Sequence, residues 1–441
     1  MISTTVLQYR RKTLLSKMTS CSAILIFASP ENIMKQNEYH FCQNKDFWYF
    51  TCFDEPNALL VLIKQDEFNN QQILFNKPKD CNTEIWVGPC LGQNLAKIRI
   101  GVDYALSWDN IDKDLSKLLN NIKILYHAWN EYIEADKLVF NTLRCLRNGV
   151  DSTPPNTIID WRPLVHEMRL FKEPEEIKLL RTSCKITSLA HTRAMKSCYP
   201  GMFEYQLEGE IHHEFNYHGA RQLAYNTIIG SGYNACILHY TKNKDKMRDG
   251  DLVLVDAGCS FKGYASDITR TFPINGKFSK QQREIYNIVL TSLKCALLML
   301  KPEININEVN HHVINIMVKH LVQLRLLKGI PNKLISEGAY LQFFMHNLGH
   351  WLGLDVHDVG SYGTSINNRI LKPNMVLTVE PGLYISKDAD VPIEYRGIGV
   401  RIEDNIIITK NGNECFTDSV VKEIDQIEFL MASRKNLKNV L

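Results

Sequence analysis

Apolar positions along this chain follow two rhythms. Short unbroken runs bounded by turn residues, Ala23-Ile24-Leu25-Ile26-Phe27-Ala28 and Ala58-Leu59-Leu60-Val61-Leu62-Ile63, read as buried strands. Ile122-Lys123-Ile124-Leu125-Tyr126, entered through the turn-forming Asn120-Asn121, predicts another. An amphipathic stretch around Leu115 to Leu119 interrupts them, so the first third of the chain reads as α/β.

Asp151-Ser152-Thr153-Pro154-Pro155-Asn156 then signals an exposed connection, because two prolines disfavour a helix and polar residues favour solvent. A second domain is expected soon after, giving an N-terminal α/β domain over 1–165 and a larger one over 166–441. Lys172-Glu173-Pro174-Glu175-Glu176 suits a first helical turn, and Ile177, Leu179 and Leu180 begin its apolar face. Further helices are predicted from Phe203 to His218, ended by Gly219, from Ser279 to Leu300 and from Ile306 to Leu327. Leu252-Val253-Leu254-Val255, Met375 to Val379 and the stretches around Val400, Ile402, Ile406 and Ile408 have the β-branched character of sheet residues.

Composition narrows the class. At 441 residues the chain exceeds the usual size of a single core, and 45% apolar with 22% charged residues is an ordinary globular balance. A net charge of +3 with interspersed signs provides no field that would draw it to nucleic acid or an anionic membrane, and no early apolar run is long enough to span a bilayer. Met1 to Met18 carries Arg10, Arg11, Lys12 and Lys17 without the apolar segment of a secretory signal, so a cytoplasmic protein is expected. The twelve cysteines are scattered with no Cys-x-x-Cys pair, which predicts reduced, mostly buried thiols rather than a zinc-thiolate site.

Candidate chemistry lies in the second half. Asp256 ends an apolar strand and Asp267 follows past the turn Phe261-Lys262-Gly263, so a hairpin can return the second carboxylate beside the first. Such a pair needs a cation or a shared proton between its members, or else it is a solvated turn. His346 and His350 fall among apolar and small residues; they are core histidines bonded to carbonyls, or one ligand with one supporting group. Gly349 and Gly353 argue against a helical metal pair. Glu380 stands where a strand gives way to Pro381-Gly382. Arg401 and Glu403 share one face of the next strand signal, as a surface ion pair or as a ligand beside a group that binds a polarised oxygen. Taken together, four carboxylates and one imidazole make a hard donor set that suits two divalent ions of the manganese, cobalt or zinc kind.

The segments Ile229-Gly230-Ser231-Gly232, Leu238-His239-Tyr240, Asp256 through Arg270, His346 through Asp358, Thr378 through Tyr384 and Gly397 through Asp404 carry a resemblance. Over nearly its full length the chain is similar to the aminopeptidase P family of the creatinase and methionine aminopeptidase superfamily. The resemblance implies a C-terminal pita-bread α/β catalytic domain preceded by a smaller α/β domain. It implies removal of the N-terminal residue from peptides with proline second, by a hydroxide that bridges two metal ions, most readily manganese. By the same resemblance Asp267, His350, Glu380 and Glu403 surround one ion, while Asp256 joins Asp267 and Glu403 around the other. Glu380 is also the implied proton carrier, and His239, His346 and His357 are the implied substrate-side histidines.

The pattern has departures. Asn347 and Ser266 stand where glycines are common in the family, and both leave the ligands intact. Trp86 resembles a residue that helps close a neighbouring subunit's site, which implies a homotetramer, whereas Asp151 stands about where an arginine is expected near that contact. Prolidase, which cleaves Xaa-Pro dipeptides with the same ligands, is the nearest alternative. Methionine aminopeptidase lacks the N-terminal domain, and non-catalytic pita-bread proteins typically lack ligands that are all present here.

Overall fold

The computed structural model describes residues 2–31, 41–363 and 368–433. Contacts divide the chain into two units, Met1–Arg169 and Leu170–Leu441.

The first unit is built on a six-stranded sheet of β1 (Ser22–Phe27), β2 (Leu59–Lys64), β3 (Asn70–Asn76), β4 (Tyr104–Ser107), β5 (Ile124–His127) and β6 (Thr157–Ile159). Their spatial order is β4-β3-β2-β1-β5-β6, and the fully buried apolar runs of β1 and β2 lie at its centre. Ala23, Leu25, Val61 and Leu125 pack against the apolar stripes of helices Ile111–Leu119 and Ile133–Asn148. The Pro154-Pro155 turn precedes the division between the units at Arg169 and Leu170. It lies between the helix Ile133–Asn148 and β6, which pairs parallel to β5, so the turn belongs inside the first unit. A short edge strand with few apolar residues has little period to announce it.

In the second unit the strands are β7 (Gln222–Leu223), β8 (Ile228–Ser231), β9 (Leu252–Ala257), β10 (Cys259–Phe261), β11 (Tyr264–Ala265), β12 (Ile268–Pro273), β13 (Val376–Val379), β14 (Gly382–Tyr384), β15 (Gly399–Arg401), β16 (Asp404–Ile408) and β17 (Asn413–Cys415). They form small antiparallel sheets, β12-β9-β8, β11-β10-β7, β13-β16-β17 and β14-β15, covered by helices Pro174–Ser197, Glu204–Tyr217, Lys280–Met299 and Ile306–Gln323. The first of these helices opens with a capping box between Glu173 and Glu176 and with proline in its first turn. The last stops short of the expected Leu327, and Arg325 turns the chain through the left-handed region at φ 59.

All twelve cysteines are free, and four of them are buried, fewer than expected. Cys81 and Cys145 lie exposed on helices. Among the described residues no helix is long and apolar enough to cross a membrane.

Candidate active site

Strand pairing assembles the acidic residues. β9 and β12 run antiparallel with Asp256 opposite Thr269, and the chain between them turns at Lys262-Gly263, both with positive φ, which returns Asp267 to the first carboxylate. The Asn405 side chain clamps the Asp267 backbone: its oxygen accepts from the Asp267 N–H at 3.0 Å, and its amide donates to the Asp267 carbonyl. Glu403 lies between β15 and β16, and its N–H donates to the Thr269 carbonyl at 3.0 Å. Glu380 occupies the turn between β13 and β14, with its N–H on the Leu348 carbonyl at 2.8 Å.

That last bond belongs to the irregular segment that brings His350. The His350 carbonyl accepts from Thr378 N–H at 2.8 Å and Trp351 bridges Leu377, so residues 348–352 run alongside β13. Gly349 permits this approach, since a Cβ there would lie 2.0 Å from the Thr378 carbonyl oxygen. No helix holds His346 and His350, in line with the two glycines.

Ligand atoms of Asp267, His350 and Glu403 all lie within 4.8 Å of one another. His350 Nε2 is 3.4 Å from Asp267 Oδ2 and 3.6 Å from Glu380 Oε1, while its Nδ1 stands 3.0 Å from the Trp351 carbonyl. That carbonyl orients the ring with Nε2 toward the acids. Asp256 is joined to Asp267 by the Tyr225 hydroxyl, which reaches Asp256 Oδ1 at 2.6 Å and also contacts Asp267 Oδ1. Asp256, Asp267 and Glu403 are buried, and all five predicted ligands line one cavity of about 560 Å³.

This clustering is electrostatically costly for the protein alone. Burial, reinforced by Asp256 and Glu380, holds the Asp267 carboxyl well above the usual range, and burial with Asp267 and Asp256 does the same to Glu403. Burial and then Glu403 push Glu380 up to about 8. Carboxylates forced together in this way favour protonation unless cations offset them. The donors are hard oxygens with one imidazole, so divalent ions fit the residues present.

Arg401 partly compensates, but not where expected. Its Nη2 donates to Asp256 Oδ2 at 2.6 Å, Nη1 to the Tyr384 hydroxyl at 2.9 Å and Nε to Thr269 Oγ1 at 3.1 Å, while Thr269 Oγ1 donates to Glu403 Oε2 at 2.8 Å. Each guanidinium nitrogen is thus engaged by the protein. Tyr384 continues the chain to His346 Nε2 at 2.9 Å.

The three other histidines line the same cavity. His239 is exposed in the loop after β8, and the exposed His357 ring lies 4.3 Å from that of His350. His346 is half-buried with Nδ1 at 4.0 Å from Glu380 Oε2, and burial holds its imidazole down at about 4. Burial, then His350, also lowers His357. Neutral imidazoles are therefore the resting forms of His346 and His357 near neutrality. Sequence reasoning gave no role to Tyr225, Tyr384 or Thr269; Tyr384 stood within a quoted motif, whereas Tyr225 belongs to no pattern in one sequence.

Comparison with known proteins places these features in context. Residues 178–410 match metallopeptidase family M24, and residues 7–126 match the aminopeptidase P N-terminal domain. The chain is 58% identical to Xaa-Pro aminopeptidase of Escherichia coli K12, over 98% of this chain and 99% of that protein. It is 48% identical to Xaa-Pro aminopeptidase of Haemophilus influenzae, over 96% of each. Zinc-substituted E. coli aminopeptidase P in complex with product superposes with a TM-score of 0.97 at 57% identity, covering 98% of this chain and 99% of that one. E. coli aminopeptidase P with the inhibitor Pro-Leu gives a TM-score of 0.96 at 57% identity, covering 99% of each.

Proposed function

Because the chain belongs to the aminopeptidase P branch of metallopeptidase family M24, we propose that its acid-lined cavity cleaves the bond between an N-terminal residue and a following proline. It is a metal-dependent exopeptidase acting on Xaa-Pro peptides. The observation that carries the assignment of the site is the convergence of Asp256, Asp267, His350, Glu380 and Glu403 on one cavity.

Two divalent ions are the proposed cofactors: Asp267, His350, Glu380 and Glu403 would hold one, and Asp256 with Asp267 and Glu403 the other. Manganese is the proposed ion, supported by four hard carboxylates against a single imidazole. When bound, such ions supply Lewis acidity that polarises the scissile carbonyl and acidifies water.

The protein's own groups do the rest. Glu380 Oε1 faces His350, which leaves Oε2, 4.0 Å from His346 Nδ1, to take the proton of the attacking water and pass it to the departing proline nitrogen. That nitrogen has no amide hydrogen and must leave as an amine, so a proton delivered there is obligatory. His239 and His357 at the cavity rim orient the substrate, and Ile228, Leu238 and Val356 offer an apolar wall for a pyrrolidine ring. Arg401 orients Asp256 and, through Tyr384, His346. The acidic wall also attracts the free amino terminus, which favours cleavage at the first bond.

A cytoplasmic homotetramer is the proposed assembly. Its support is the family resemblance together with Ile85 and Trp86, which are 80% and 87% exposed and apolar. A peptide panel tests the activity: Xaa-Pro-Yaa tripeptides are hydrolysed and Xaa-Ala-Yaa tripeptides are not. Hydrolysis confined to Xaa-Pro dipeptides would instead assign a prolidase.

A further inference from the structure

The loop that carries His239 has little regular structure of its own. It leaves β8 at Ser231, passes through a short 3-10 helix at Gly232–Cys236, exposes His239 and returns at Asp245. Behind it stands Glu204, the first residue of helix Glu204–Tyr217, whose side chain is fully buried. Glu204 Oε1 accepts from the Ser231 N–H at 2.9 Å, the Ser231 hydroxyl at 2.7 Å and the Asn234 side-chain amide at 3.1 Å. Glu204 Oε2 accepts from the Tyr240 hydroxyl at 2.9 Å and the Asp245 N–H at 2.9 Å. The Glu204 N–H completes the join by donating to the Asp245 carbonyl at 3.0 Å.

A carboxylate taken out of water is tolerated only when its lone pairs are used, and here five neutral donors use them. Its place in the first turn of a helix adds a favourable dipole. The pattern of donors is the informative part. A glutamate that merely fastened one element to another would not need the start, the middle and the end of a single loop, and Tyr240 is the immediate neighbour of His239.

We propose that Glu204 is a positioning residue for His239, holding the loop from Ser231 to Asp245 in the one arrangement that presents the imidazole to the cavity. The inference rests on the reading of His239 as a substrate-side group. Glu204→Gln keeps the volume but turns one acceptor oxygen into a donor, which faces donors and loses either the two contacts of Oε2 or the three of Oε1. The loop then samples other arrangements, and a misplacement of about 1 Å is enough to cost about 10- to 100-fold in kcat/KM.

A double-mutant cycle on the full-length, metal-loaded protein tests this, with kcat/KM on a Xaa-Pro tripeptide, bound metal and thermal midpoint measured for each chain. Glu204→Gln is expected to lower kcat/KM by about 10- to 100-fold in the native background. In the His239→Ala background it should lower it by less than about twofold, with bound metal unchanged. Equal losses in both backgrounds with His239→Ala itself impaired, or no loss in the native background, overturn the inference. An unimpaired His239→Ala chain overturns the reading of His239 and the inference with it. Should Glu204→Gln fail to fold, Tyr240→Phe removes one of the bonds and keeps the charge. It is then expected to cost about 3- to 10-fold only where His239 is present, and a loss independent of His239 overturns the proposal.

Discussion

The floor of the cavity and its rim are held by different means. The floor residues Asp256, Asp267, Glu380 and Glu403 sit in or beside paired strands, and main-chain hydrogen bonds fix their backbones, with the Asn405 side chain clamping that of Asp267. The rim residues His239 and His357 sit on loops, and buried charges hold those loops from behind. Glu204 gathers the His239 loop, while Lys172, donating to Asp358 Oδ2 at 2.8 Å with both side chains 1% exposed, anchors the residue next to His357. Strand pairing gives most of the floor's precision through the main chain, with the buried Asn405 side chain adding to it. A loop reaches similar precision only by burying polar groups, and such a group becomes a single point of failure.

Substitutions on the two sides should therefore fail differently. The largest effect belongs to the floor: Glu380→Gln should reduce kcat/KM on a Xaa-Pro tripeptide by about 10²- to 10⁴-fold with little change in unfolding midpoint, and steady-state kinetics beside denaturant titration read both. Equal activity in that variant would reject Glu380 as the proton carrier. On the rim, Lys172→Met leaves Asp358 with less compensation in a buried place and should cost about 3–5 kcal/mol of stability, visible as a lower denaturant midpoint. A loss no greater than that of an exposed lysine would mean that the loop is held by something else.

A smaller, pH-dependent effect probes the support beneath the floor. His191, on the helix Pro174–Ser197, is fully buried with Nε2 at 3.3 Å from the Ala257 carbonyl, and burial, then Arg270, holds it down at about 4. The unfolded chain titrates this group near its ordinary value of about 6.5, so unfolding takes up a proton between the two values. Stability from His191 is thus complete above about pH 6.5 and falls by about 1.4 kcal/mol per pH unit toward pH 4. Denaturant titrations across that window should show a shallower slope in His191→Gln than in the native chain.

The same contrast governs how much the sequence disclosed. The central strands of both units were legible because their apolar runs are long and clear, and the floor carboxylates stood out by interrupting or ending such runs. The return of Asp267 beside Asp256 was legible as a hairpin, but the approach of Glu403 was not, since it rests on a bond from Glu403 N–H to the Thr269 carbonyl that no local period encodes. The resemblance to a known family bridged that gap. Glu204, Lys172, Tyr225 and Tyr384 went unassigned because a lone polar residue looks the same whether it faces solvent or holds a loop. Pro154-Pro155 shows the limit of a breaker signal: it marks a turn, and a turn inside a domain uses the same residues as one between domains.

The central claim is that the floor carboxylates and His350 form a two-metal centre on which Xaa-Pro cleavage depends, and stoichiometric metal titration tests it most directly. The full-length protein, stripped with a chelator, is titrated with manganese while bound metal and hydrolysis of a Xaa-Pro tripeptide are followed together. Activity should be absent in the stripped protein and rise to a plateau at about two ions per chain, with neither binding nor recovery in Asp267→Asn. Full activity without metal, or recovery unaffected by Asp267→Asn, would contradict the account.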